Sequence, residues 1–258
     1  MGKITTTVVN DILQAYTTRK PIDFIRHTYS LTEAEAYEVQ DELIQQLATL
    51  QGASIAGYKI SMTSVDTQAI ALTDEPAYGT LLSTTLKQSG DIISMDSLFE
   101  PLIEPEIHFI LQEDLSPIAN EEEIISKSKV CAGIEVPDAR YKNWFPNFSL
   151  ADLLADNTAT GLVVLSEPVD PLTFEQFANV QMELFHNGLK ISEGNASAVL
   201  ENPVSSVKWL AGKLAEHGKT LKKGMVISSG TFISPIRAEK GTYKINYSSI
   251  GSVDITFN

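Results

Sequence analysis

Apolar residues change their spacing once along this chain, near residue 54, and that change limits the architectures open to it. Before it, Thr32 with Glu35 forms a capping-box pattern, and Tyr37, Leu43, Ile44 and Leu47 keep helical spacing until Gly52 offers a stop. The first fifty residues therefore read as helical. From Ile55 onward, short β-branched or alternating runs are separated by Gly, Pro and Asp, which is strand texture. Candidate strands cover 56–61, 104–111, 161–165, 180–185, 225–229, 243–247 and 252–257. The Asn187-Gly188 pair favours a tight hairpin returning 180–185 onto 189–192. A second clear helix starts at the cap Asn202 with Pro203 in first position, keeps Val204, Val207, Leu210, Ala211 and Leu214 on one face, and stops at Gly218. The fold class expected is α+β: a helical N-terminal lobe over residues 1–53 and a mixed, twisted β-sheet core over 54–258, with helices packed outside.

Composition narrows the function classes. At 258 residues the chain can bury a large core without staples. A single cysteine, Cys131, rules out an internal disulfide framework and thiolate zinc sites, and fits a reducing compartment. The expected location is the cytoplasm. A formal charge of −14, with no Lys/Arg cluster, disfavours nucleic acid as a partner. Concentrated carboxylates suit a divalent cation, although an acidic excess also serves solubility. No apolar run approaches the roughly 18 residues of a membrane span, and the start lacks a signal-peptide core. Gly2 with Thr6 meets the loose acylation pattern, but no basic patch or second anchor supports it.

The chemistry-bearing stretch is Ile103-Glu104-Pro105-Glu106-Ile107-His108. On a strand, Glu104, Glu106 and His108 share one face, so two carboxylates converge and repel unless a cation offsets them. Hard oxygen ligands select Mg²⁺, Mn²⁺ or Ca²⁺ over zinc. An acidic, solvent-facing strand edge is the other reading of this spacing. Pro105 has no amide hydrogen to give, which points to a sheet edge or a bulge. Glu135 lies between apolar neighbours in Gly133-Ile134-Glu135-Val136, where a salt bridge to Arg140 or to a lysine competes with metal ligation. Lys59 interrupts an apolar strand and is either a surface lysine or a catalytic one.

The order Gly57-Tyr58-Lys59, Pro76-Ala77-Tyr78-Gly79-Thr80-Leu81, Ile103-Glu104-Pro105-Glu106-Ile107, Ile134-Glu135-Val136, Ala155-Asp156-Asn157, Ser229-Gly230-Thr231 and Gly251-Ser252 resembles the 2-keto-4-pentenoate hydratase and 4-oxalocrotonate decarboxylase family of the fumarylacetoacetate hydrolase superfamily. The resemblance covers essentially the whole chain. It implies a fumarylacetoacetase C-terminal-like fold and a Mg²⁺ site, with Mn²⁺ as the alternative ion, made by Glu104, Glu106 and Glu135. It also implies Lys59 as the proton-transfer group and Gly230 with Thr231 holding the substrate carboxylate. Asp156, with Asn157, either lines the pocket or only fixes its loop. The expected activity is a hydro-lyase adding water to a 2-hydroxypenta-2,4-dienoate-type 2-oxo acid, as in catabolism of aromatic meta-cleavage products. A homo-oligomer, at least a dimer, is implied too.

Two departures from the family pattern bear on this. Ala77 stands where many relatives have aspartate, and Ala159 where they have serine, which puts hydration in doubt more than metal binding. Asp74 and Glu75 are nearby acids that could substitute. The alternative activity is decarboxylation of a 2-oxo-enedioate, whose second anionic group would need Arg140, Lys142 or Arg237. A non-catalytic metabolite-binding relative is the third reading, and His108 is a candidate extra pocket group.

Overall fold

The computed structural model describes residues 3–258; Gly2 of the acylation pattern lies outside the described residues. Helix α1 (Lys3–Thr18) buries Val8, Val9, Ile12 and Ala15 at helical spacing. It ends at Arg19, whose φ of +56° is left-handed, two residues before Pro21. The helical reading of the first fifty residues fails over 19–32, where, apart from a 3-10 turn at Ile25–His27, an irregular link pairs Ile22 with Tyr141 before the next helix begins. Helix α2 (Glu33–Gln51) starts as expected: Thr32 Oγ1 accepts from Glu35 N, and Glu35 Oε2 accepts from Thr32 N at 2.8 Å. It stops at Gly52 (φ +60°).

The remaining elements follow in the order β1 (Ile55–Ser61), α3 (Val65–Ala71), β2 (Ala77–Leu82), β3 (Leu86–Gln88), β4 (Ile92–Ile93), β5 (Leu102–Leu111), α4 (Glu121–Ser126), β6 (Ser128–Val136), α5 (Leu150–Ala155), β7 (Leu162–Leu165), α6 (Phe174–Ala178), β8 (Gln181–His186), β9 (Leu189–Asn195), α7 (Pro203–Glu216), β10 (Val226–Ser228), β11 (Ile236–Arg237), β12 (Gly241–Tyr247) and β13 (Gly251–Phe257). The larger sheet is mixed, in the order β2-β1-β10-β5-β6-β7-β3, with β11 on β5. The smaller is β4-β13-β12-β8-β9, and its β8–β9 hairpin turns at Asn187 and Gly188, both at positive φ. Tyr247 joins the two sheets by donating from its hydroxyl to Gly133 O at 2.7 Å. The apolar faces of α1, α2 and α7 belong to the same buried cluster as the strands, so helices and sheets share one core.

Pro105 departs from expectation. It lies in a central strand rather than at an edge: β6 pairs with it on one side, while on the other β10 covers 108–110 and β11 covers 102–103. The proline sits in the gap between those two partners, where a missing N–H costs no ladder bond.

Candidate metal and substrate site

Register brings the acidic residues together. Glu104 on β5 is directly opposite Glu135 on β6, and Glu106 follows two residues along β5 on the same face. Ligand oxygens of all three lie within 4.8 Å of one another. Glu106 and Glu135 are fully buried, and Glu104 is half-buried at the wall of a cavity. Glu106 Oε2 is oriented from behind by the Ser228 hydroxyl and by Gly230 N at 3.0 Å, while its Oε1 and Glu135 Oε2 have no hydrogen-bond donor. Buried carboxylate oxygens are rarely left so.

Electrostatics sharpens the point. Burial first, then the neighbouring charge of Glu135, raises Glu104 to about 8 against the pull of Lys59. Glu106 is pushed well above the carboxylate range by burial and by Glu135 and Glu104. By themselves the three cannot all be ionised at neutral pH. A hard dication among them would allow it, and the oxygens without donors are where it would bind. The donor set fits such an ion.

Lys59, on β1, is 1% exposed and puts Nζ 2.8 Å from Glu135 Oε1 in a buried ion pair. In a flat sheet β1 and β6, three places apart, would be about 14 Å from each other. The contact therefore requires the sheet to curl with this face concave. Burial lowers the lysine's proton affinity, but the charges of Glu135, Glu104 and Glu106 outweigh it, and the net direction is up. Of the two readings of Glu135, ion pair and metal ligand, the geometry accommodates both.

Lys59, Glu104 and Thr231 line the cavity together with Met62, Trp144 and Phe148. Gly230 does not line it. Its φ of +117° and a Cβ position 2.4 Å from Thr63 Oγ1 admit only glycine, and its N–H goes to Glu106 rather than toward the cavity. Asp156 also stays out. Its carboxylate accepts from Arg140 Nε at 2.6 Å and Arg140 N at 2.8 Å, with both side chains buried. Of its two sequence readings, the one that fixes the loop fits this placement. Asn157, Thr158 and Ala159 all hold left-handed φ near +50°, costing ~1–2 kcal/mol apiece. The turn is pinned by Asn157 bonding both backbone groups of Thr80 (2.7 and 2.9 Å) and by Thr158 Oγ1 donating to Tyr78 O at 2.6 Å. Thr158 and Ala159 then face the cavity.

Other expected contributors fall elsewhere. Ala77 is buried outside the cavity lining, and neither Asp74 nor Glu75 reaches it; Glu75 instead pairs with Lys213 at 2.8 Å. His108 lies on the glutamate face but behind it, fully buried with neither ring nitrogen bonded, and burial lowers it to about 3. Gly133 is what admits the ring, since a Cβ there would lie 2.2 Å from it. Sequence reasoning missed the aromatic wall of Trp144, Phe145 and Phe148 and the hydroxyls of Thr63 and Thr67. Its signal was the Trp-Phe-Pro-Asn-Phe run at 144–148.

No family model matches the chain. Among curated proteins, 2-oxo-hept-4-ene-1,7-dioate hydratase of Escherichia coli is 31% identical over 98% of this chain and 97% of its own. The chain belongs to the 2-keto-4-pentenoate hydratase and 4-oxalocrotonate decarboxylase family. Within that family, the 2-keto-4-pentenoate hydratase of Paraburkholderia xenovorans is 30% identical, over 95% of this chain and 92% of its own. Among solved structures, 4-oxalocrotonate decarboxylase from Pseudomonas putida, complexed with magnesium and adipate, superposes with a TM-score of 0.89 at 26% identity, covering 98% of this chain and 97% of its own. The same decarboxylase is known with calcium and acetate. These family members are lyases, and the superfamily fold expected from the sequence is the fold observed.

Proposed function

We propose that the chain is a divalent-metal-dependent hydro-lyase that adds water to a 2-hydroxypenta-2,4-dienoate-type 2-oxo acid. One observation carries the reading: a cross-strand acidic triad with oxygens lacking donors, beside a buried lysine, on the wall of a cavity. Glu104, Glu106 and Glu135 hold the ion, with Mg²⁺ favoured by the all-carboxylate set. Bound there, a dication supplies a Lewis acid that stabilises negative charge on the 2-oxygen of the substrate. Lys59 carries a proton on Nζ at the cavity wall and exchanges it with the substrate carbon chain, as ketonisation of the dienol at C5 and water addition at C4 require. Thr231 faces the cavity, and its hydroxyl reaches the substrate carboxylate by turning away from Ile233 O, to which it donates at 3.0 Å. The aromatic wall shields the reacting carbons from bulk water. A cytoplasmic assembly of at least two subunits, each dividing near residue 53, completes the reading.

A second reading, decarboxylation of a 2-oxo-enedioate, is favoured by the close superposition on the Pseudomonas putida decarboxylase. Mixing protein and Mg²⁺ with 2-hydroxypenta-2,4-dienoate should remove the dienol absorbance, whereas 4-oxalocrotonate should release no CO₂. Turnover that persists unchanged in excess chelator would refute the metal role.

A further inference from the structure

We infer that the cavity takes 2-oxo acids with one negative charge and an uncharged, apolar tail, and discriminates against dicarboxylates. The inference rests on the proposed function, in which the substrate's own carboxylate and 2-oxygen sit at the acidic triad. Of the residues lining the cavity, only Lys59 and Glu104 have acidic or basic side chains. Lys59 is committed to Glu135 at 2.8 Å, and Glu104 belongs to the acidic triad and offers a second carboxylate no positive charge. The remaining polar lining consists of neutral hydroxyls such as Thr63, Thr67 and Thr158. The rest is carbon: Trp144, Phe145 and Phe148 pack with centroids 5.6–6.4 Å apart, and Ile70 and Leu153 extend the surface.

A second carboxylate would need a cation, and the neighbouring cations are committed elsewhere. Arg140 is fully buried on Asp156, with its Nη1 bonded to Asp138 O and Thr160 O. Lys142 pairs with Asp23 at 3.1 Å on the surface. Arg237 binds Glu100 and Phe145 O, both at 3.2 Å, and Arg26 binds Asp152 and Asn147 O. None of the four lines the cavity. The three cations that the sequence offered to a second anionic group are thus placed away from it. A carboxylate pressed against aromatic carbon loses its hydration without a partner, whereas an alkyl tail gains by burial.

The test uses two acids of equal chain length. Calorimetric titration of the Mg²⁺-loaded protein should give 2-oxohexanoate a Kd lower than that of 2-oxoadipate by about 100-fold, the order set by burying an unpaired charge. Ile70→Lys should reverse part of that preference by tightening 2-oxoadipate; failure to tighten it would remove the tail from this wall and overturn the inference. Equal or tighter wild-type binding of 2-oxoadipate would overturn it too, and its loss in Arg237→Ala would identify the rim guanidinium as the second anchor. In those cases the proposed hydro-lyase activity stands. If neither acid binds, the proposed function fails and this inference with it.

Discussion

Three carboxylates within 4.8 Å of one another are unfavourable without a counter-ion, and this single fact governs what substitutions there should do. Glu106 is held toward its protonated form by burial and by its acidic neighbours, so a neutral amide is a near-isostere of the metal-free state. Glu106→Gln should therefore leave the metal-free protein as stable as wild type, yet weaken Mg²⁺ binding by more than about 100-fold, since even outer-shell losses cost 10–100-fold. Thermal melts with and without Mg²⁺ check both halves. Lys59 has a different signature. Lys59→Met removes the cation beside buried Glu135 and should cost roughly 3–5 kcal/mol without metal, with Lys59→Met/Glu135→Gln recovering much of it. With Mg²⁺ bound, the single variant should lower kcat far more than it raises KM; equal losses in both would make Lys59 an anion anchor instead.

Among the elements, the turn between α5 and β7 brings Thr158 and Ala159 to the cavity wall. Three successive residues in left-handed conformation do not persist by local preference, and here the Arg140–Asp156 pair and the bonds of Asn157 to Thr80 on β2 hold them in place. Arg140→Met should strand a buried carboxylate and destabilise the protein by about 3–5 kcal/mol, read from urea unfolding. Arg140→Lys should rescue little, because one ammonium cannot replace a fork that also reaches Asp156 O and Thr160 O. A lysine variant of wild-type stability would show that charge alone, not the fork, secures the turn.

For the whole molecule, the buried titratable groups set how stability follows pH. Glu104 is raised from an ordinary 4.5 to about 8, so the folded state holds a proton that the unfolded state has already released. Metal-free stability should fall as pH rises through that window, by about 1.4 kcal/mol per pH unit per proton. His108 acts oppositely: lowered from 6.5 to about 3, it costs stability as pH falls between those values. Between pH 6.5 and 8 the glutamate effect runs clear of the His108 one. There, denaturant unfolding should show an alkaline decline that Glu104→Gln/Glu106→Gln flattens and Mg²⁺ reverses, because a bound cation favours the ionised oxygens. A decline unchanged in the double variant would assign it to other groups.

Local signals settled much of this protein. Capping at Thr32 and Asn202, the Asn187-Gly188 turn and the alternation along 104–108 each depend on neighbours within a few residues, and they appear where the sequence places them. Other features escaped local reading for a physical reason. Strand β2 is buried on both faces and shows no alternation, and Pro105 reads as an edge until its neighbours β10 and β11 are placed. The sequence could name Glu135 and Lys59 but not seat them 2.8 Å apart, because that distance follows from the curl of a sheet across three strand spacings. Only the tertiary structure could show that Arg140, Lys142 and Arg237 are committed to other partners, since a cation's availability depends on which carboxylates the fold brings to it. Residue types and their order determined the family and the candidate ligands; packing decided which of those groups face the cavity and with what charge.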